Sequence, residues 1–272
     1  MTMHFTSEQN LDGGLTEREF TIGDISGIMW TPPAASSSAP VPLILMGQPG
    51  GIGMRRMYSR LAARARSAAA QGFAAISIEA PGAGGRTPLP GAAAARADLV
   101  RAISVGEEPG EEVIDRLILP LVDQAVPEWQ TTLDEALALP EIGERTAFSG
   151  GVIAIGVRLA AIDSRIVAAG LFAGSYVPRT TMEEARRVTI PLHVLLQWDD
   201  EGNDRRMALD LFDAFGSTEK TLYANMGGHT GVPQFAGEDA ARFFARHLGS
   251  VGGGECAASS PLVTQVSHLR RS

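Results

Sequence analysis

The residue types needed for nucleophilic acyl transfer occur in this chain in a usable order: Ser149, then Asp200, then His229. A serine hydroxyl is a weak nucleophile, so it needs an imidazole to take its proton and a carboxylate to orient that imidazole. Ser149 stands in Ala147-Phe148-Ser149-Gly150-Gly151, where a strand-like segment runs into a helix-like one. A serine at the apex of so tight a turn needs almost no side chain two places to either side. Ala147 and Gly151 meet that need. Asp200 follows the apolar run Leu195-Leu196 and precedes Glu201-Gly202-Asn203, which puts it just past the end of a strand. Asp199 is the alternative acid, and either aspartate could instead cap the next helix. His229 lies in Gly227-Gly228-His229-Thr230-Gly231, a loop whose glycines permit an unusual backbone path. The other histidines lack this setting: His4 and His268 are near the termini, His193 is inside a strand and His247 is on the last helix.

A second group of residues could serve such a site. Gly47-Gln48-Pro49-Gly50-Gly51-Ile52-Gly53 joins a buried strand to a helix, and glycine-rich turns there present backbone N–H groups to negative charge. The loop has neither the Gly-Lys-Ser/Thr ending of a nucleotide loop nor the dinucleotide pattern. It reads as half of an oxyanion hole, with Gly50 and Gly150 supplying the N–H groups and Gln48 alongside. Glu79 follows another buried strand and can either touch substrate or bond a neighbouring loop. Arg86, Tyr176 and Trp198 are candidate lining residues, although Trp198 is equally explained by packing. No cluster of His, Cys and carboxylates has metal-ligand spacing, so neither metal nor other cofactor is expected.

The elements that must position these groups alternate along the chain. Residues 17–22 and 26–31 read as an opening antiparallel pair around the Gly23-Asp24 turn. Residues 41–46 and 73–78 are short apolar runs, the mark of strands buried on both faces. A helix over 55–71 separates them. Residues 111–139 read as helical with breaks at Pro120 and Pro127. Strands at 145–148, 166–172, 192–197 and 221–225 then alternate with helices at 151–162, 205–215 and 237–248. That alternation predicts an α/β fold, a mostly parallel sheet with helices on both faces. One domain over 17–248 is expected, between a flexible N-terminus (1–16) and a disordered tail (249–272). Residues 88–127 and 175–189 interrupt the pattern on the strand C-terminal side, where a small lid would lie.

Composition narrows the function classes. The 272 residues are 44% hydrophobic, ample for a packed core. A net charge of −8 argues against nucleic acid or an anionic membrane as partner. Cys256 is the only cysteine, the N-terminus has no apolar signal segment, and no apolar run reaches bilayer-spanning length. A cytoplasmic protein acting on a small molecule is the expectation. Oligomeric state stays open, a homodimer included.

Four pieces of the chain resemble the α/β-hydrolase superfamily, in its dienelactone-hydrolase-like and small esterase branches. They are Leu45 to Gly51, Ile78 to Arg86, the segment around Ser149, and the pairing of Trp198-Asp199-Asp200 with Gly228-His229. The resemblance implies an α/β-hydrolase fold with an eight-stranded sheet, a Ser149-Asp200-His229 triad, and cofactor-free cleavage of a small ester, thioester or lactone. Several positions depart from the family pattern. Gln48-Pro49 stands where His-Gly is usual, Ala83 and Gly85 where a histidine and an aspartate are common, and Ala147 where glycine is usual. Counting back from Asp163 puts Gly150 at the nucleophile position, and counting forward from Leu139 points nearer Val152. Small flanking residues favour Ser149. The alternatives are a nucleophile-less lyase, cyclase or decarboxylase using His229 and Asp200 for proton transfer, or a non-catalytic ligand-binding member.

Overall fold

The computed structural model describes residues 1–249. Nine strands form one sheet: β1 (His4–Asn10), β2 (Thr16–Ile22), β3 (Ile25–Thr31), β4 (Val41–Gly47), β5 (Ala74–Ile78), β6 (Ile142–Gly150), β7 (Ile166–Phe172), β8 (Leu192–Gln197) and β9 (Lys220–Asn225). Their spatial order is β1-β2-β3-β5-β4-β6-β7-β8-β9. The run from β5 to β9 is parallel, while β1, β2 and β3 add an antiparallel flank. Seven helices accompany the sheet among the described residues: α1 (Met54–Ala70), α2 (Ala92–Ser104), α3 (Glu111–Leu137), α4 (Ile153–Ile162), α5 (Arg179–Ala185), α6 (Arg205–Ala214) and α7 (Gln234–Leu248). None of the helices is long and apolar enough to cross a membrane.

The central strands are apolar throughout because both faces are covered. In β4, Leu43 and Leu45 pack toward α3 and α4 with Phe148, Leu121 and Trp129. Ile44 and Met46 pack on the opposite face, toward α1 and α7, with Leu61, Ala65, Phe243 and Phe244. Successive strand residues point to opposite faces, so one short run serves both layers. The C-terminal ends of β4, β6, β7, β8 and β9 consequently open on one edge, the place where parallel sheets of this kind hold ligands.

Three sequence expectations need correction. The sheet has nine strands, not eight, because the segment taken as a flexible N-terminus contains β1. Every residue of β1 is exposed, so it carries no hydrophobic alternation; its ladder to β2 holds it, with Arg18 stacked 4.2 Å from the Phe5 ring. The helix over 111–139 is not broken at its prolines: α3 runs through both Pro120 and Pro127. An interior proline costs about 3 kcal/mol, which burial of Leu121, Val122, Val126, Trp129 and Leu133 along the same helix offsets. Within 88–127, the segment expected to interrupt the alternation, a further helix, α2, precedes α3. The tail beyond Gly249, Cys256 included, lies outside the described residues.

Candidate active site

Glycines make the bend between β6 and α4. Gly150 and Gly151 have φ of 74° and 76°, Val152 is the N-cap, and α4 begins at Ile153. Two consecutive left-handed residues suit glycine, since a side chain there meets its own backbone. The close approach of β4 reinforces the requirement. A Cβ on Gly151 would lie 2.8 Å from Gly47 Cα, and one on Gly47 would lie 2.9 Å from the Gly150 carbonyl oxygen.

Ser149 is therefore not at the apex. It is a strand residue, paired in register with Met46 and Gly170, and it does not share the positive φ of the glycines that follow. Its hydroxyl accepts a hydrogen bond from Arg64 Nη2 at 3.1 Å, and its carbonyl accepts one from the same nitrogen at 2.6 Å. Among the described residues no hydrogen bond joins Ser149 to His229. The positive-φ positions of the bend are the two glycines that follow Ser149, Gly150 and Gly151.

The other two members of the expected triad do meet. Asp200 Oδ2 lies 2.7 Å from His229 Nδ1, and Asp200 Oδ1 accepts from the Gly202 amide at 3.0 Å. The carboxylate is almost fully enclosed, its side chain 2% exposed, while the imidazole is 72% exposed. One ring nitrogen is thus held by the acid on a largely exposed imidazole, with the Phe172 ring 5.9 Å away in an edge-on arrangement. Asp199 plays a different part from its neighbour. Its carboxylate accepts the amides of Gly227 (2.9 and 3.1 Å) and Gly228 (2.9 Å), clamping the loop that carries His229. Those backbone donors, Gly228 first, hold the Asp199 pKa below the ordinary carboxylate value. Gln197 adds a bond from Nε2 to the Gly228 carbonyl at 2.8 Å.

The remaining candidates divide. Gly50 sits beside the bend, where a Cβ would touch Leu121 at 3.2 Å and Val152 at 3.4 Å. Gln48 turns inward, donating from Nε2 to the Ile78 carbonyl at 2.5 Å above a residual cavity of about 10 Å³, too small to take a substrate. Glu79 is consumed structurally: its buried carboxylate accepts the Met54 amide at 2.9 Å, capping α1. Arg86 is held bidentate by Glu128, both bonds 2.6 Å. Trp198 is 41% exposed and lies under the Arg205 guanidinium at 4.2 Å, on the surface of the acid loop. Tyr176 has φ 53°, a strained value for a non-glycine residue. Its loop is stitched to the acid loop by Asn203 Oδ1, which accepts the Ser175 amide at 2.6 Å, and by Ser175 Oγ, which accepts the Asp204 amide at 2.9 Å. Burial, then the nearby Asp204 and Glu108 charges, raise the Tyr176 pKa.

Arg64 is the residue that sequence reasoning passed over. It looks like one of several arginines on α1, yet it stands three places after buried Leu61 and next to buried Ala65, on the inward side of the helix. That spacing was the available signal.

No family model and no curated protein sequence matches the chain. Solved structures do. A cold-adapted esterase from an Arctic intertidal metagenomic library superposes with TM-score 0.68 at 24% identity, covering 91% of this chain and 100% of that one. An acetyl xylan esterase from Paenibacillus sp. R4 gives TM-score 0.57 at 16% identity, with 91% and 88% covered. A dienelactone hydrolase from Anabaena variabilis gives 0.55 at 13%, with 89% and 98% covered. Strand order, parallel core and these superpositions agree: the chain has the α/β-hydrolase fold.

Proposed function

We propose that the protein is a small-molecule enzyme of ester or related carbonyl chemistry in which Asp200 and His229 move the proton and no side chain acts as nucleophile. The single observation that carries this reading is the Asp200–His229 pair at 2.7 Å, in a fold whose β6–α4 bend is made of bare glycines. Asp200 fixes the ring through Nδ1, leaving Nε2 as general base for a water molecule or for an acidic proton of the substrate. Hydrolysis by water so activated is the version that the esterase neighbours favour. Backbone N–H groups of the Gly50 loop and of the glycine bend would face the charge that develops on the attacked carbonyl.

The test uses a fluorophosphonate probe and 4-nitrophenyl acetate. The expected outcome is no covalent labelling, together with turnover that falls about 10²–10⁴-fold in His229→Ala, the usual contribution of a general base. Labelling at Ser149 would overturn the reading. It would support an acyl-enzyme mechanism instead, and one observation favours that second reading. Ser149 Oγ lies 3.8 Å from where a Cβ on Gly170 would be, so it is on the sheet face that Phe172, two residues on, shares beside His229.

A further inference from the structure

We propose that Arg64 is an anion-binding residue of this site and that its ligand is the carboxylate of a small anionic substrate, received where a nucleophile side chain is absent. For the identity of the substrate this rests on the acid–base reading above; the binding itself does not.

Four other arginines that turn inward each hold a carboxylate: Arg18 with Glu141 at 2.6 Å, Arg86 with Glu128 at 2.6 Å, Arg158 with Glu184 at 2.8 Å and Arg165 with Asp163 at 2.7 Å, while half-buried Arg145 holds the His247 and Gly249 carbonyls, away from the glycine bend. Arg64 has none among the described residues, in a chain with 31 acidic residues. Its acceptors are all neutral: the Gly47 carbonyl at 3.1 Å, and the Ser149 carbonyl and hydroxyl at 2.6 and 3.1 Å. A guanidinium has five N–H donors, so these bonds leave two without a protein acceptor. Burial without a counter-charge lowers its pKa to about 10, which leaves it cationic at neutral pH.

Its place gives that charge a use. Gly47 and Ser149 lie at the C-terminal ends of β4 and β6, the two central strands, and Gly150 follows directly. A Cβ on Gly150 would stand 3.1 Å from Arg64 Nη2 and 3.5 Å from both Cζ and Nη1. The guanidinium therefore fills the space into which a side chain at Gly150 would start. Nor is it alone. Arg96, exposed on α2, brings its Nη2 to 2.9 Å from where a Cβ on Gly51 would be, and it too holds no carboxylate among the described residues. Two cations thus reach the Gly47–Gly51 loop from different helices. A planar carboxylate matches the fork geometry of a guanidinium in a way that a neutral ester does not.

The experiment is equilibrium binding by calorimetry, in low-chloride buffer, of succinate and of its neutral counterpart succinamide. Wild-type protein should bind succinate saturably and at least about tenfold more tightly than succinamide, the ratio expected of a charge-assisted bond. Arg64→Gln should remove that preference. If this variant melts early because a link between β4 and β6 is lost, Arg64→Lys should keep part of the preference with a weaker, point-charge contact. Equal binding of the two ligands, no binding of either, or unchanged succinate affinity in folded Arg64→Gln would overturn the proposal and leave Arg64 as a staple between strands. Arg64-dependent binding without any His229-dependent turnover would leave the anion site standing and remove the proposed reaction.

Discussion

Replacing Gly151 by alanine should destabilise the protein far more than replacing Gly150, although the two have nearly equal backbone angles. At φ of 76° and 74°, an added Cβ costs about 1–2 kcal/mol at either position. The obstacles differ. On Gly151 the Cβ would stand 2.8 Å from Gly47 Cα and 2.9 Å from Gln48 N, both backbone atoms of the central strand β4 and its loop. These cannot rotate aside, so the bend must lift off β4 or the loop must shift, an overpacking cost of about 1–3 kcal/mol more. On Gly150 the nearest atom is Arg64 Nη2 at 3.1 Å, the far end of a flexible side chain that can swing. The expected totals are roughly 2–5 kcal/mol for Gly151→Ala and roughly 1–2 kcal/mol for Gly150→Ala. In a chain of this size 1 kcal/mol moves the melting temperature by about 2–4 °C. Thermal melts followed by circular dichroism should thus show Gly151→Ala lower by around 10 °C and Gly150→Ala by a few degrees. Equal shifts, or a Gly151→Ala melt within about 2 °C of wild type, would refute the contact between bend and strand on which the site geometry depends.

Other outcomes follow from the same structure. Asp200→Asn should lower turnover of 4-nitrophenyl acetate by about 10²–10⁴-fold, because an amide can donate to Nδ1 and leave the ring in the wrong tautomer; Asp199→Asn should instead raise KM and protease sensitivity near 227–231 through loss of the loop clamp. His193 is buried between Tyr223 (4.4 Å) and Phe243 (5.5 Å) with Nδ1 unpartnered among the described residues, and burial lowers its pKa below the ordinary 6.5. The stability it confers is therefore present above pH 6.5 and lost as pH falls from there toward its folded value; wild-type melts should drop more between pH 7.5 and 5.5 than those of His193→Phe, and parallel slopes would contradict this. Glu128→Gln should cost about 1–3 kcal/mol in urea unfolding, since it weakens a bidentate partner of a mostly buried Arg86.

What could be read from the chain, and what could not, divides along physical lines. Strands such as β4 and β5 were legible because they are buried on both faces, which leaves an uninterrupted apolar run bounded by glycine or proline. The Asp200–His229 pair was legible because Asp200 lies just past the buried strand β8 and His229 lies in the glycine-rich loop after the last strand, β9. β1 was not, since an edge strand stabilised by backbone pairing alone imposes no side-chain pattern. The continuity of α3 was misjudged because packing outweighs the local penalty of Pro120 and Pro127. The register of the bend failed for a more instructive reason. Choosing Ser149 because Ala147 and Gly151 are small assumes that the bend carries a side chain needing room; Gly150 and Gly151 make the bend without one. The inward placement of Arg64 was open to sequence reasoning through its spacing from Leu61 and Ala65, but which carbonyls it meets at the ends of β4 and β6 is a fact of tertiary structure.

The grip of Asp199 on the Gly227 and Gly228 amides carries a consequence for acid behaviour. Because those donors favour its ionised form, the carboxylate keeps its hold well into the acid range, past the point where any free imidazole has taken up a proton. Between pH 7 and pH 5 the loop that carries His229 therefore keeps its shape. Activity lost on mild acidification should then return in full, and at once, when neutrality is restored.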